Sequence, residues 1–172
     1  MKTSTQPIAP DDGTTFHDAP DHPGVETLWQ YWQSKCHDGR IPDRKDINLA
    51  EIAEIAPNLI IAERSDTPGD FRLRLVGSAL SEITGEERTG HNLSEIGMSR
   101  GSEADMARAR WIAVTSYVFE TAQPTFVSVI GSRPGKEHLL YHAASLPLTN
   151  GGDEVDQILG CLFTSYRDQP TS

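Results

Sequence analysis

Cysteine is scarce in this chain of 172 residues: Cys36 and Cys161 are the only two, and neither sits in a Cys-x-x-Cys or Cys/His ligand spacing. That excludes a disulfide framework and a zinc knuckle, and it predicts two reduced thiols. Long apolar runs are missing as well. No stretch approaches the roughly 20 continuous apolar residues of a membrane span, and the segment from Met1 to His22 lacks the apolar centre of a signal peptide. The expectation is a cytoplasmic chain without membrane contact. Positive charge is in deficit, with 15 Lys and Arg against 25 Asp and Glu for a formal charge of -10. Phosphate backbones and anionic lipid surfaces repel such a chain at long range, so nucleic acid is set aside as a partner.

What remains is ample core material. Hydrophobic residues make up 37% of the chain, among them three Trp, five Phe and four Tyr, enough for one folded domain with short tails. Residues 1–22 carry Pro7, Pro10, Gly13 and Pro20 without sustained periodicity and read as a flexible tail. From Val25 the pattern turns helical: Val25, Leu28, Trp29, Trp32 and Cys36 share one face, with Gly39 placed to end the helix. Asn48 can cap a short helix, Glu51 supplying the reciprocal half of a capping box, and Pro57 closes it. Leu59 to Arg64 and Phe71 to Val76 then form a hairpin across Asp66-Thr67-Pro68-Gly69-Asp70.

Short helical turns broken at Gly85 and Gly90 follow, then the longest helix, Ser102 to Thr121. Its Ala104, Ala107, Trp111, Val114 and Val118 alternate steps of three and four and must be buried. Three strands close the chain, Thr125 to Ser132, His138 to Leu148 and Gln157 to Arg167, with turn signals at Pro134-Gly135 and at Asn150-Gly151-Gly152-Asp153. Antiparallel hairpins flanking a helical segment make an α+β domain.

That order resembles the PAS fold, a five-stranded antiparallel sheet wrapped by short helices and one longer connecting helix. Particular residues carry the likeness: Trp29 to Trp32, Ile41-Pro42-x-Arg44-x-Asp46, Pro57, Phe71-Arg72-x-Arg74-x-Val76-Gly77 and Gly85-x-x-x-Thr89-Gly90. They are similar to the PAS subfamily of short stand-alone bacterial signalling proteins. The resemblance implies helices flanking the core over residues 23–56, a PAS-like domain over 57–168 and a tail at 169–172.

It further implies a non-catalytic sensor or interaction module. Its pocket would lie between the inner sheet face and the long helix, bordered by Phe71, Leu73, Leu75, Trp111, Phe126 and His142. A partner or dimer surface would run along Val25, Leu28, Trp29 and Trp32. The implied partners are a second copy, an unidentified signalling protein and a small ligand. The Trp stripe has two readings, intramolecular packing or an exposed interface. The cofactor is unknown: the flavin-photosensor cysteine motif is absent, and the long helix holds no histidine for haem.

The residues also make sense without the family. Alternation puts Phe71, Leu73 and Leu75 on one strand face and Arg72 and Arg74 on the other, either acid-paired or part of a docking surface. Gly77 permits a sharp exit from the strand, and Gly90 takes a backbone angle closed to other residues.

Several catalytic patterns fall short. Gly151-Gly152-Asp153-Glu154-Val155 is similar to the turn signature of diguanylate cyclases, but no acidic metal-binding strand is evident upstream, so it reads as a hairpin turn. Gly131 to Lys136 is similar to a phosphate loop with the wrong glycine spacing and a strand after it. His138 and His142, on one strand, stand roughly 13 Å apart and cannot chelate one ion. Glu86 and Glu87 are adjacent and do not converge, and His91 is read as solvent-facing. Enzymatic use of His142 or His138 as a base remains the alternative function, beside a purely structural adaptor.

Overall fold

The computed structural model describes residues 13–85, 87–95, 102–131 and 135–168. Six strands and three α-helices follow in the order β1 (Thr14–His17), α1 (Pro23–Ser34), β2 (Leu59–Arg64), β3 (Phe71–Val76), α2 (Ser78–Thr84), α3 (Ser102–Thr121), β4 (Thr125–Ile130), β5 (Leu139–Leu148) and β6 (Gln157–Tyr166). The strands form a single sheet in the order β1-β4-β5-β6-β2-β3, every neighbouring pair antiparallel. The β4-β5-β6 meander and the β2-β3 hairpin are as expected. The bounds of β2, β3 and α3 coincide with those read from the sequence, and the fold is α+β.

The sixth strand is the main addition. β1 lies within the segment expected to be a tail and pairs with β4 from Thr14 opposite Val129 to His17 opposite Phe126. Four residues with Thr-Thr-Phe-His alternation give too short a period to detect in sequence. The tails at 1–12 and 169–172, Glu86, and residues 132–134 of the expected strand end, turn and phosphate-loop likeness lie outside the described residues.

Side-chain alternation gives the sheet two apolar faces. One carries Leu59, Ile61, Phe126, Ala144, Leu146, Leu148, Leu159 and Cys161, and is covered by Val25, Leu28 and Trp32 of α1 with Ile47, Ile52 and Ile55 from the 3-10 turns after it. The other carries Ala62, Phe71, Leu73 and Ile158, and is covered by Val118 and Phe119 of α3 together with Leu93. We call these the α1 face and the α3 face.

Local chemistry departs from expectation at three points. α1 ends at Ser34 with Lys35 as its C-cap, ahead of Gly39, which sits in a separate turn at φ 73°. Asn48 does cap the following turn, accepting from the Ala50 N–H, but Glu51 is not its partner. The Glu51 carboxylate instead accepts from the Tyr31 hydroxyl at 2.7 Å and faces Lys35 at 2.9 Å. A capping box forms one turn earlier, between Asp43 and Asp46.

Gly77 is required for space rather than for its torsion angles. Its φ of -66° suits any residue, but a Cβ there would fall 2.2 Å from the Pro57 carbonyl oxygen. Gly85 and Gly90, at φ 74° and 84°, do occupy the left-handed region.

Candidate functional site

The six residues expected around one pocket divide between the two faces. Phe71 and Leu73 lie on the α3 face, with Trp111 packed against the same cluster. Leu75 and Phe126 pack on the α1 face, and His142, two residues from Ala144 on β5, shares that side.

A β-bulge separates Leu75 from Phe71 and Leu73. Ile61 pairs with Leu75 while the next residue, Ala62, pairs with Leu73, leaving Arg74 as an extra residue in β3. One inserted residue reverses the side on which each later side chain falls. The alternation Phe-Arg-Leu-Arg-Leu gives no sign of it.

Under α3, Phe71 stacks on Phe119 with ring centroids 5.0 Å apart, and the Arg64 guanidinium lies 4.5 Å from the Phe119 centroid. The buried stripe of α3 runs Arg110, Val114, Val118 at steps of four. Arg110 is only 6% exposed, its guanidinium 5.7 Å from the Trp111 ring, and burial pushes its pKa down to about 10. Sequence reasoning passed over Arg110, although its spacing to Val114 and Val118 was there to be read. Thr115 and Thr125 are the other polar side chains buried along α3 and at the start of β4.

Over the α1 face the aromatic stripe is turned inward. Val25 and Leu28 are fully buried and Trp32 nearly so. The Trp32 indole N–H donates to the Pro147 carbonyl at 2.9 Å, and Trp29 stacks on Trp32 and meets Phe126 edge-on at 5.1 Å. The expected partner surface is thus interior packing: a helix with this much apolar area on one face gains most by burying it on its own sheet. Trp29 is half-buried.

Beside the start of α1 lies a polar cluster. The His142 Nδ1 is 2.9 Å from Asp21 Oδ2 and its Nε2 is 2.7 Å from the Ser165 hydroxyl. A carboxylate only accepts, so in the neutral ring Nδ1 donates to Asp21 and Nε2 accepts from Ser165. The His17 Nε2 is 2.8 Å from the Ser128 hydroxyl and 3.3 Å from the same Asp21 oxygen. His22 stands against both His142 and Phe163, with ring centroids 4.9 Å from each.

Three chain segments, the β1–α1 connection, β4 and the β5-β6 pair, are thereby joined through side chains. His138, by contrast, precedes β5 and stacks on Tyr166, far from this cluster in register. His91 is exposed, and among the described residues no group of three or more His, Cys, Asp or Glu side chains could hold a metal ion.

The paired arginines meet an acid. Arg72 donates to Glu63 through Nε and Nη2 at 3.0 and 2.6 Å, and Arg74 lies 3.6 Å from the same oxygen. Burial alone would raise the Glu63 carboxyl, but the hydrogen bonds from Arg72 and Gln157 and the two guanidinium charges outweigh it, so the net shift is downward.

An antiparallel sheet clasped by an N-terminal helix on one face and by a long connecting helix on the other defines the α+β architecture. The sequence matches the family model described as PAS domain over residues 20–163. The chain belongs to the PAS domain family, whose members are generally non-catalytic signalling sensor modules.

Similar solved structures include a light-oxygen-voltage domain studied with a flavin analogue, at 14% identity and a TM-score of 0.46, covering 68% of this chain and 83% of that one. Another is an RNA-binding light-oxygen-voltage receptor, at 13% identity and a TM-score of 0.49, covering 91% of this chain and 39% of the receptor. No curated protein matches the sequence. Among the described residues no helix is long and apolar enough to cross a membrane.

Proposed function

We propose that this domain is a non-catalytic sensor module of a signalling system, and that it receives a small apolar ligand between α3 and the sheet. One observation carries the reading: Phe71 and Leu73 of β3 and Trp111 of α3 belong to the same apolar cluster on the α3 face, where Phe71 stacks on Phe119 with ring centroids 5.0 Å apart. Aromatic and aliphatic walls of this kind suit the apolar body of a small ligand.

Native mass spectrometry of the purified chain tests this. A retained small molecule, lost in Trp111→Ala, supports the reading. A ligand-free protein that shows no thermal shift with a panel of small aliphatic and aromatic compounds would leave a structural adaptor as the function.

A second reading, small-molecule hydrolysis at His142, is favoured by one arrangement, the Ser165–His142–Asp21 series, which has the connectivity of a nucleophile, base and carboxylate. Ester turnover abolished equally by Ser165→Ala and His142→Ala would establish it.

A further inference from the structure

We propose that His22 is a pH-sensitive clasp, fastening the start of α1 to the sheet while its ring is neutral and releasing it on acidification. His22 is the N-cap of α1, but its imidazole fills the place usually taken by a hydroxyl or carboxylate. Its Nδ1 accepts the Gly24 N–H at 3.0 Å. Only a ring with a lone pair on Nδ1 can do this. Protonation deletes the cap and places a positive charge at the positive end of the helix dipole.

The surroundings act in the same direction. The His22 ring lies in contact with His142, which is 4% exposed, and its other neighbour is the apolar Phe163 ring. The titratable groups around it are His142 from β5, Asp21 beside it and, across the Asp21 carboxylate, His17 from β1. β4 and β6 present Ser128, Ser165 and Phe163. α1 carries Glu26 in its first turn, where the carboxylate accepts from Gln30.

The one nearby carboxylate that raises the His22 pKa, Asp21, is already engaged by two imidazoles. Burial first and His142 second outweigh it, and His22 titrates below the ordinary 6.5. A group whose pKa is lowered in the closed state favours that state above 6.5. The closed state loses this support as the pH falls below 6.5, and the loss levels off below the lowered value.

Release has somewhere to act. Gly24 lies so close to Phe163 that a Cβ would fall 2.4 Å from the ring, so the first turn of α1 has no slack against β6. Lifting it uncovers Val25 and Phe163 while Trp32, held to Pro147, anchors the far end. The clasp is independent of any ligand under α3.

Backbone hydrogen–deuterium exchange of the full chain, corrected for intrinsic rates, reads the opening directly. Peptides spanning residues 14–30 should lose protection as the pH falls from about 7.5 through 6.5 to the lowered His22 value, by about tenfold for each unit between the two. β5 and β6 should hold theirs. The loss should level off at the pH where the His22 ring titration followed by NMR has its midpoint. In His22→Asn, which keeps a capping oxygen but does not titrate here, the pH response should vanish, whatever the level of protection. Unchanged protection in the wild type, a loss that levels off with the His17 or His142 ring titration instead, or a pH response surviving in His22→Asn would each overturn the proposal.

Discussion

The indole N–H of Trp32 donates to the carbonyl of Pro147 at 2.9 Å, joining the third turn of α1 to the penultimate residue pair of β5. Proline has no N–H with which to extend the ladder, but its carbonyl is open to a side-chain donor. Trp32→Phe keeps an aromatic ring and leaves that carbonyl without its donor, so unfolding should cost about 1–2 kcal/mol less. Trp32→Ala should remove about 3–5 kcal/mol. Because Trp29 stacks on Trp32, the double alanine variant should deviate from additivity, which urea denaturation of the four-member cycle measures. A change of oligomeric state without loss of stability would contradict interior packing of the stripe.

Gly77 and Gly90 should differ in how much an added methyl costs. At Gly77 the methyl meets the Pro57 backbone, which cannot swing aside, and Gly77→Ala should destabilise by about 3 kcal/mol. At Gly90 the space is open but φ is positive, so Gly90→Ala should cost only the left-handed strain of about 1–2 kcal/mol. Equal losses for the two variants would show that the close approach at Pro57 relaxes.

The Glu63 carboxyl titrates below its ordinary value because Arg72, Gln157 and Arg74 outweigh its burial. The sign follows: its contribution is complete above the ordinary value of 4.5 and is lost as the pH falls through the lowered one. Urea midpoints at about pH 7 and about pH 3.5 should therefore lie closer together in Glu63→Gln than in the wild type. An undiminished difference would place the acid sensitivity elsewhere.

The two thiols should react in a fixed order. Burial pushes Cys161 up to about 12 and also raises half-buried Cys36. Since only the thiolate attacks, an aromatic disulfide reagent at mildly alkaline pH should titrate Cys36 slowly and Cys161 only at the rate of unfolding. Rapid modification of both would mean that β6 opens far more readily than its packing implies.

Much of the fold was legible before any coordinates. The limits of β2, β3 and α3 were visible because a Gly or Pro stands near the borders of each, and the helical spacing of Val25, Leu28 and Trp32 announced a buried face. The same spacing could not say whether that face met its own sheet or another chain, since an amphipathic stripe looks identical in both. The candidate site was less legible. Phe71, Leu73 and Leu75 alternate perfectly, yet an inserted Arg74 puts Leu75 on the other side. Such an insertion is defined only by the partner strand.

The sequence by itself determined the class of element at most positions, the α+β order and the family, because those depend on short-range periodicity and turn chemistry. Tertiary structure alone decided three matters. It turned the Trp stripe of α1 onto β5, made a strand of residues 14–17, and gathered His17 and His142 around the Asp21 carboxylate, with Ser165 and His22 against His142. The physical reason is common to all three. Contacts between residues more than a hundred positions apart are fixed by sheet register, and register is a property of pairs of segments that no single segment encodes.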